Sequence, residues 1–178
     1  MAEPRSDVVR NRGRILEAAR GLPRAGLRLN DVARLAEVGV GTVYRHFPTA
    51  HALVEALATD TLLRMLDLTR TATAEPDPAA ALERLIRAAL ELQLEEGGLQ
   101  AVLLAAEDES PEVHEAKREL LSRWHAVLER AHAAGVVRSD IDAERLQHLV
   151  CGVEHAARLS AAADRDILLG VLLRGIRA

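Results

Sequence analysis

The stretch EVGVGTVYRHFP, residues 37–48, decides how the rest of this chain is read. Just upstream, Val32, Ala33, Leu35 and Ala36 recur at helical spacing and predict a short helix over 29–36 packed on a core. Glu37, Val38 and Gly39 then form a turn, in which Val38 fills the angle between two helices and Gly39 is tolerated at the N-cap of the second. That second helix carries Thr42, Tyr44, Arg45 and His46 within two turns. All four are hydrogen-bond donors and none is acidic, a combination suited to phosphate oxygens and base edges. Val43 and Phe47, four apart, anchor the inner side of the same helix. Gly41 presents no side chain to whatever approaches it. A glycine-punctuated helical hairpin can simply pack; one that displays tyrosine, arginine and histidine side by side predicts contact with a nucleic acid.

The charge distribution agrees with that reading even though the total does not. The 178 residues carry a net charge of -4, yet residues 1–50 hold nine arginines against five acidic residues, a surplus of four positive charges that leaves minus eight on the remainder. A basic head on an acidic body turns only the head toward a polyanion. Apolar residues make up 49 % of the chain and aromatics 2 %, so the core is built of Leu, Ala and Val, and an all-α fold is expected. Cys151 is the only cysteine, which rules out an internal disulfide. The N-terminal segment is polar and charged, and no apolar run approaches the ~18 residues that a membrane span needs. The expectation is a cytoplasmic protein with no membrane association.

In chain order, residues 1–5 read as a disordered arm, and a first helix is expected from a cap at Ser6 to about Leu22, stopped by Pro23 and Gly26. A long helix capped by Thr49 runs to about Thr69, and the segment 71–78, with Pro76 and Pro78, is a loop. Asp77 and Pro78 open a helix to about Glu96, halted by Gly97 and Gly98. A shorter apolar segment spans 99–106. A helix from Ser110 and Pro111 lasts to Ala134, with Gly135 as its C-terminal cap. Asp142 caps a helix ending near Ala163, and the last helix covers about 164–176. The division expected is a helix-turn-helix domain over 1–48 and a ligand-binding and dimerisation domain over 49–178. The last two helices carry Leu146, Leu149, Val150, Val153, Leu168, Val171 and Leu172, with apolar residues over too much of the circumference for a monomer surface. These residues are the expected homodimer interface.

The run over 37–48 followed by ALVEAL, residues 52–57, resembles the DNA-binding signature of the tetracycline-repressor-like (TetR) family of bacterial transcription regulators. The resemblance is good over about 12–57 and extends beyond it only in helical pattern and length. It implies a three-helix head, a long helix that transmits ligand binding to that head, and a two-fold dimer. The two recognition helices of such a dimer enter successive major grooves of a palindromic double-stranded operator about 34 Å apart. On this basis the DNA-contacting residues are Arg28, Gly39, Val40, Gly41, Thr42, Tyr44, Arg45, His46, Thr49 and His51. A small apolar or amphipathic effector is expected in the body, near Leu92, Leu103, Leu104, Trp124, His125 and Leu128. No cofactor is implied.

Four positions depart from the family's pattern. Arg28 stands where a threonine cap is usual, Glu37 replaces the turn glycine, Gly39 replaces a serine, and Ala50 replaces a lysine, with His51 beside it as a pH-dependent substitute. Losing a cationic phosphate contact lowers both affinity and its salt dependence, so DNA binding of moderate strength is expected. The alternative is a helical interaction protein of the same fold that no longer binds DNA specifically. Two helical triples, His148–Cys151–His155 and His125–Glu129–His132, present metal-ligand types on one face, but neither includes a loop ligand and no metal is assigned to them. There is no glycine-rich phosphate loop and no nucleophile-elbow motif, and the acidic run 107–109 reads as solvated, so no enzyme is expected.

Overall fold

A computed structural model describes residues 5–23, 26–95 and 98–178. The expectations for residues 1–4, Arg24, Glu96 and Gly97 fall outside them. Over the described residues the chain forms nine α-helices and one short 3-10 turn. Three build the head: α1 (Arg5–Arg20), α2 (Leu29–Leu35) and α3 (Val40–His46). Helix α1 begins at Arg5, so Ser6 lies inside it and is not its cap. The head core is formed by Ile15 and Ala19 of α1, Leu29, Val32, Ala33 and Ala36 around α2, and Val43 of α3 with Phe47, the residue that ends it. Leu35, expected on the inner face, is instead 54 % exposed. At about 100° per residue it stands roughly opposite Ala33, and the inner stripe is completed by Leu29, Val32 and Ala36.

The turn between α2 and α3 has a specific backbone pattern. The Val38 amide donates to the Ala33 carbonyl at 3.1 Å and the Glu37 amide to the Arg34 carbonyl at 3.3 Å. This is a Schellman motif, which requires a left-handed residue just past the cap. Glu37 occupies that position with φ 51°, the one positive-φ non-glycine among the described residues. The missing glycine therefore costs about 1 kcal/mol of backbone strain.

Helix α4 (Ala50–Ala74) joins head to body. The Thr49 hydroxyl caps it, accepting the Ala52 amide at 3.0 Å. Its 25 residues span ~37 Å at 1.5 Å per residue. It runs five residues past the expected end, because Thr71 and Thr73 bond back to Asp67 and Thr69 within the helix and nothing opposes helix until the residue before Pro76. Leu53 belongs to the head core, while Val54, Ala58, Leu62, Met65, Leu66 and Ala72 belong to the body core, so a single helix is shared by both.

The body continues with α5 (Pro78–Glu95), α6 (Leu99–Leu103), α7 (Pro111–Ala133), α8 (Ala143–Leu159) and α9 (Arg165–Gly175). Asp77, Ser110 and Asp142 cap α5, α7 and α8 as their side chains suggest, accepting the amides of Ala79, Val113 and Arg145. Gly135, at φ 66°, ends α7 in the same motif that Glu37 forms after α2. Helix α8 stops four residues short of the expected 163: Ser160 turns extended and bonds back to the Ala156 carbonyl, and the 3-10 turn Ala162–Asp164 leads into α9. No described helix is long and apolar enough to cross a membrane.

Helices α4 and α7 run side by side in the same direction and are clasped at both ends. At the head end, the Glu55 carboxylate accepts the amides of Glu109 at 2.8 Å and Ser110 at 2.9 Å. At the far end, the Arg130 guanidinium donates to the carbonyls of Thr73 and Glu75. Glu55 is buried, and its charge lies at the positive end of the α7 dipole, where a carboxylate is favoured.

Candidate nucleic-acid interface

Helix α3 divides cleanly between two faces. Val43 and Phe47 are buried, while Val40 and Tyr44 are 46 % and 48 % exposed, and Gly39, Gly41 and Arg45 are also exposed. A Cβ built on Gly41 meets no heavy atom within 4 Å, so the backbone there faces open space. Arg45 lies back along its own helix, donating to the Gly41 carbonyl and the Thr42 hydroxyl, both at 3.2 Å. These exposed bonds are weak enough in water to be exchanged for a phosphate or a guanine edge. The Tyr44 hydroxyl has no hydrogen-bond partner among the described residues and points a donor and an acceptor outward. Val40 leaves an apolar side chain exposed beside these donors. His46 is half-buried, its ring 6.3 Å from that of Phe47.

Around this face the basic residues of the head differ in availability. Arg12 covers the Phe47 ring at 5.3 Å, a contact that braces α3 from α1. Arg14 donates to the Glu37 carbonyl at 3.3 Å and pairs with its carboxylate at 3.6 Å, so the acidic residue of the turn is partly neutralised within the head. Arg28, the α2 N-cap, offers no acceptor to the orphan amides. It is exposed and has no ion-pair partner among the described residues, leaving its charge available.

Two of the expected DNA-contacting residues also make contacts with the body. Thr49 donates to Glu109 at 3.1 Å while it caps α4, and His51 Nε2 lies 3.1 Å from Glu55 Oε1. Both reach toward the body, because the first turn of α4 is already packed against the segment that opens α7.

The residues expected around an effector are not gathered on one cavity. Trp124, Leu128, Leu92 and Leu103 are buried in the body core, Leu104 is 45 % exposed, and His125 faces solvent in a 3.2 Å pair with Glu129. An open cavity of about 310 Å³ lies between α4 and α5, walled by Leu68, Ala72, Leu85 and Ala88 beside Arg84, Arg87 and Glu91.

The expected dimer residues also divide. Leu146, Val150 and Leu172 are buried in the protomer's own core. Leu149 and Val171 are 40 % and 57 % exposed, Val153 and Leu168 are half-buried, and Leu159 and Ile167, outside the expected interface set, are 77 % and 62 % exposed. Periodicity shows that a helix has an apolar stripe; when the stripe is wide, it does not show which half faces inward.

A buried polar cluster between α5 and α8 was also missed. Arg158 donates to Glu154 and to the Gln93 carbonyl, and the Cys151 thiol lies 3.6 Å from Gln93 Oε1. The signal was present: Glu154 falls on the buried stripe Leu146, Val150, Ala157. Burial pushes the Cys151 thiol up to about 12, with the Glu154 charge adding to it, so this sulfur is a poor metal ligand. His148 and His155 are exposed on the same helix.

A head whose α2–turn–α3 unit presents a donor-rich helix, joined by one shared helix to a body of further helices, defines a helix-turn-helix regulator. Comparison with known proteins names the family. Residues 77–178 match the model of the SbtR-like transcriptional regulator C-terminal domain, within the TetR group. The TetR regulator SCO0520 of Streptomyces coelicolor is 30 % identical over 93 % of this chain and 98 % of its own, with a TM-score of 0.55. FadR of Bacillus subtilis, solved with stearoyl-CoA, shares the fold at 15 % identity over 92 % of this chain and 98 % of its own, with a TM-score of 0.60. No curated protein matches the chain. The chain belongs to the TetR family of transcriptional regulators, which are DNA-binding proteins and not enzymes.

Proposed function

We propose that this protein is a homodimeric repressor that binds a palindromic operator through α3 and releases it when a small apolar or amphipathic effector enters the body. The observation that carries the reading is the outward face of α3, where Val40, Thr42, Tyr44 and Arg45 stand clear of the head core that Val43 and Phe47 anchor. Arg28 joins them as a free cation. Leu149, Leu159, Ile167 and Val171 form the surface that a second copy covers. Two heads held by one dimer fit one face of the duplex only at the right separation, so tilting α4 lowers affinity without touching the DNA contacts. The cavity between α4 and α5 is large enough for a small ligand, is mostly apolar, and bears directly on α4.

The test is binding to duplex DNA taken from upstream of the protein's own coding sequence, followed by fluorescence anisotropy over a range of salt. Wild type is compared with a Tyr44→Ala, Arg45→Ala double variant. Saturable, salt-sensitive binding that the double variant loses supports the reading. Equal affinity for random DNA would favour the interaction-protein alternative. With Ala50 in place of a lysine and His51 turned inward, the salt dependence is expected to be shallow.

A further inference from the structure

The first turns of α4 and the segment before α7 bring together three side chains that neither the DNA contacts nor an effector cavity uses. His51 and Glu55 stand one helical turn apart on α4, and Asp108 reaches them from the α6–α7 connection. One ligand-type atom from each lies within 4.8 Å of the other two. Glu55 and Asp108 side chains are 1 % and 5 % exposed, so both carboxylates are withdrawn from water. The Nε2 atom of His51 is itself shielded from solvent and makes no hydrogen bond, although Glu55 Oε1 is only 3.1 Å away. A solvent-shielded ring nitrogen set beside a carboxylate without hydrogen-bonding it leaves a ligand atom open, whereas buried polar atoms are nearly always hydrogen-bonded.

We infer that His51, Glu55 and Asp108 form a binding site for a divalent transition-metal ion, and that the ion locks the first turn of α4 to the body. One imidazole with two carboxylates suits zinc, manganese, iron, cobalt or nickel, and is a poor match for a soft thiophilic ion. The ligands come from two separate segments, unlike the single-helix triples of histidine and cysteine. Neighbouring groups already orient them: the Glu109 and Ser110 amides hold Glu55, and Lys117 at 2.7 Å and His114 at 3.2 Å hold Asp108. Such outer partners fix the direction of metal-binding groups. Two carboxylates against one ammonium leave a single net negative charge, so Lys117 keeps the affinity moderate. A bound ion adds a further tie beside the Glu55–Glu109, Glu55–Ser110 and Thr49–Glu109 contacts, at the point where the head meets the body. The consequence for DNA rests on the regulator reading above: operator affinity becomes metal-dependent.

The experiment is calorimetric titration of the full chain with zinc, manganese, cobalt and nickel chlorides, alongside the absorption spectrum of the cobalt form. Wild type is compared with His51→Ala, Asp108→Asn and Cys151→Ala. His51→Ala removes the 3.1 Å approach to Glu55 but no hydrogen bond among the described residues, and melting curves without metal check that each variant is folded. The expected result is one ion per chain and a raised melting temperature. Affinity should fall at least ~10-fold in His51→Ala and in Asp108→Asn but not in Cys151→Ala. No saturable binding, binding unchanged in the first two variants, or a thiolate-to-cobalt absorption lost in Cys151→Ala would each overturn the site. Operator binding is measured separately with and without chelator. A chain that binds metal but no DNA sinks the regulator reading and leaves the site standing; a chain that binds DNA but no metal does the reverse.

Discussion

Glu55, on the helix that leaves the head, accepts the backbone amide of Ser110 at 2.9 Å, joining two residues 55 positions apart at the mouth of α7. The same carboxylate accepts the Glu109 amide through its other oxygen, so one buried side chain satisfies two donors that no helical carbonyl can reach. Glutamine offers a single acceptor oxygen and would turn N–H groups toward an amide. Glu55→Gln is expected to lose about 2 kcal/mol and Glu55→Ala about 3 kcal/mol of stability. Urea unfolding with an unchanged m-value is the measurement, and a loss below ~0.5 kcal/mol in both variants would mean the clasp is incidental.

Glu37 is strained where Gly135 is not, although both close the same backbone motif. Glu37→Gly is therefore expected to stabilise the protein by up to about 1 kcal/mol, less whatever its exposed pair with Arg14 contributes. The same change removes a negative charge beside α3 and frees Arg14, so DNA binding should tighten. Thermal unfolding and operator titration check the two effects separately; a destabilised variant would contradict the strain assignment.

The Cys151 thiol, raised from an ordinary 9.0 to about 12, should resist alkylation by iodoacetamide at pH 8 in the folded protein and react fully in denaturant. Its linkage to stability has a definite sign. Between about 9 and about 12 the unfolded thiol releases its proton and the folded one keeps it, so the contribution present below 9 is lost as pH rises. Cys151→Ser should flatten the alkaline limb of the stability profile.

The exposed leucine, isoleucine and valine surface on α8 and α9 predicts the oligomeric state. An Ile167→Asp, Val171→Asp double variant places two charges at positions that are 62 % and 57 % exposed, which the protomer tolerates and a dimer does not. Sedimentation equilibrium should show a monomer with the helix content of wild type. A variant that remains dimeric would move the interface to another surface. Leu146→Ala and Leu172→Ala, by contrast, should act as core deletions, costing about 2–5 kcal/mol without a change specific to assembly.

The sequence by itself determined what short-range physics controls. Thr49, Ser110 and Asp142 cap the helices that follow them, because a cap acts on amides two or three residues away. The spacing of Val43 and Phe47 fixed which side of α3 turns inward, and the surplus of arginine before residue 50 marked the head. Only the tertiary structure decided the contacts between segments far apart in the chain: Glu55 with Ser110, Arg130 with Thr73, His51 with Asp108 across the α4–α7 junction. It also decided that Leu146 and Val150 belong to the protomer while Leu149 faces outward. Periodicity fixes a helix face to within a wide arc. The rotation that chooses one buried carboxylate or one exposed leucine comes from how the whole apolar core packs, and no window of local sequence contains that information.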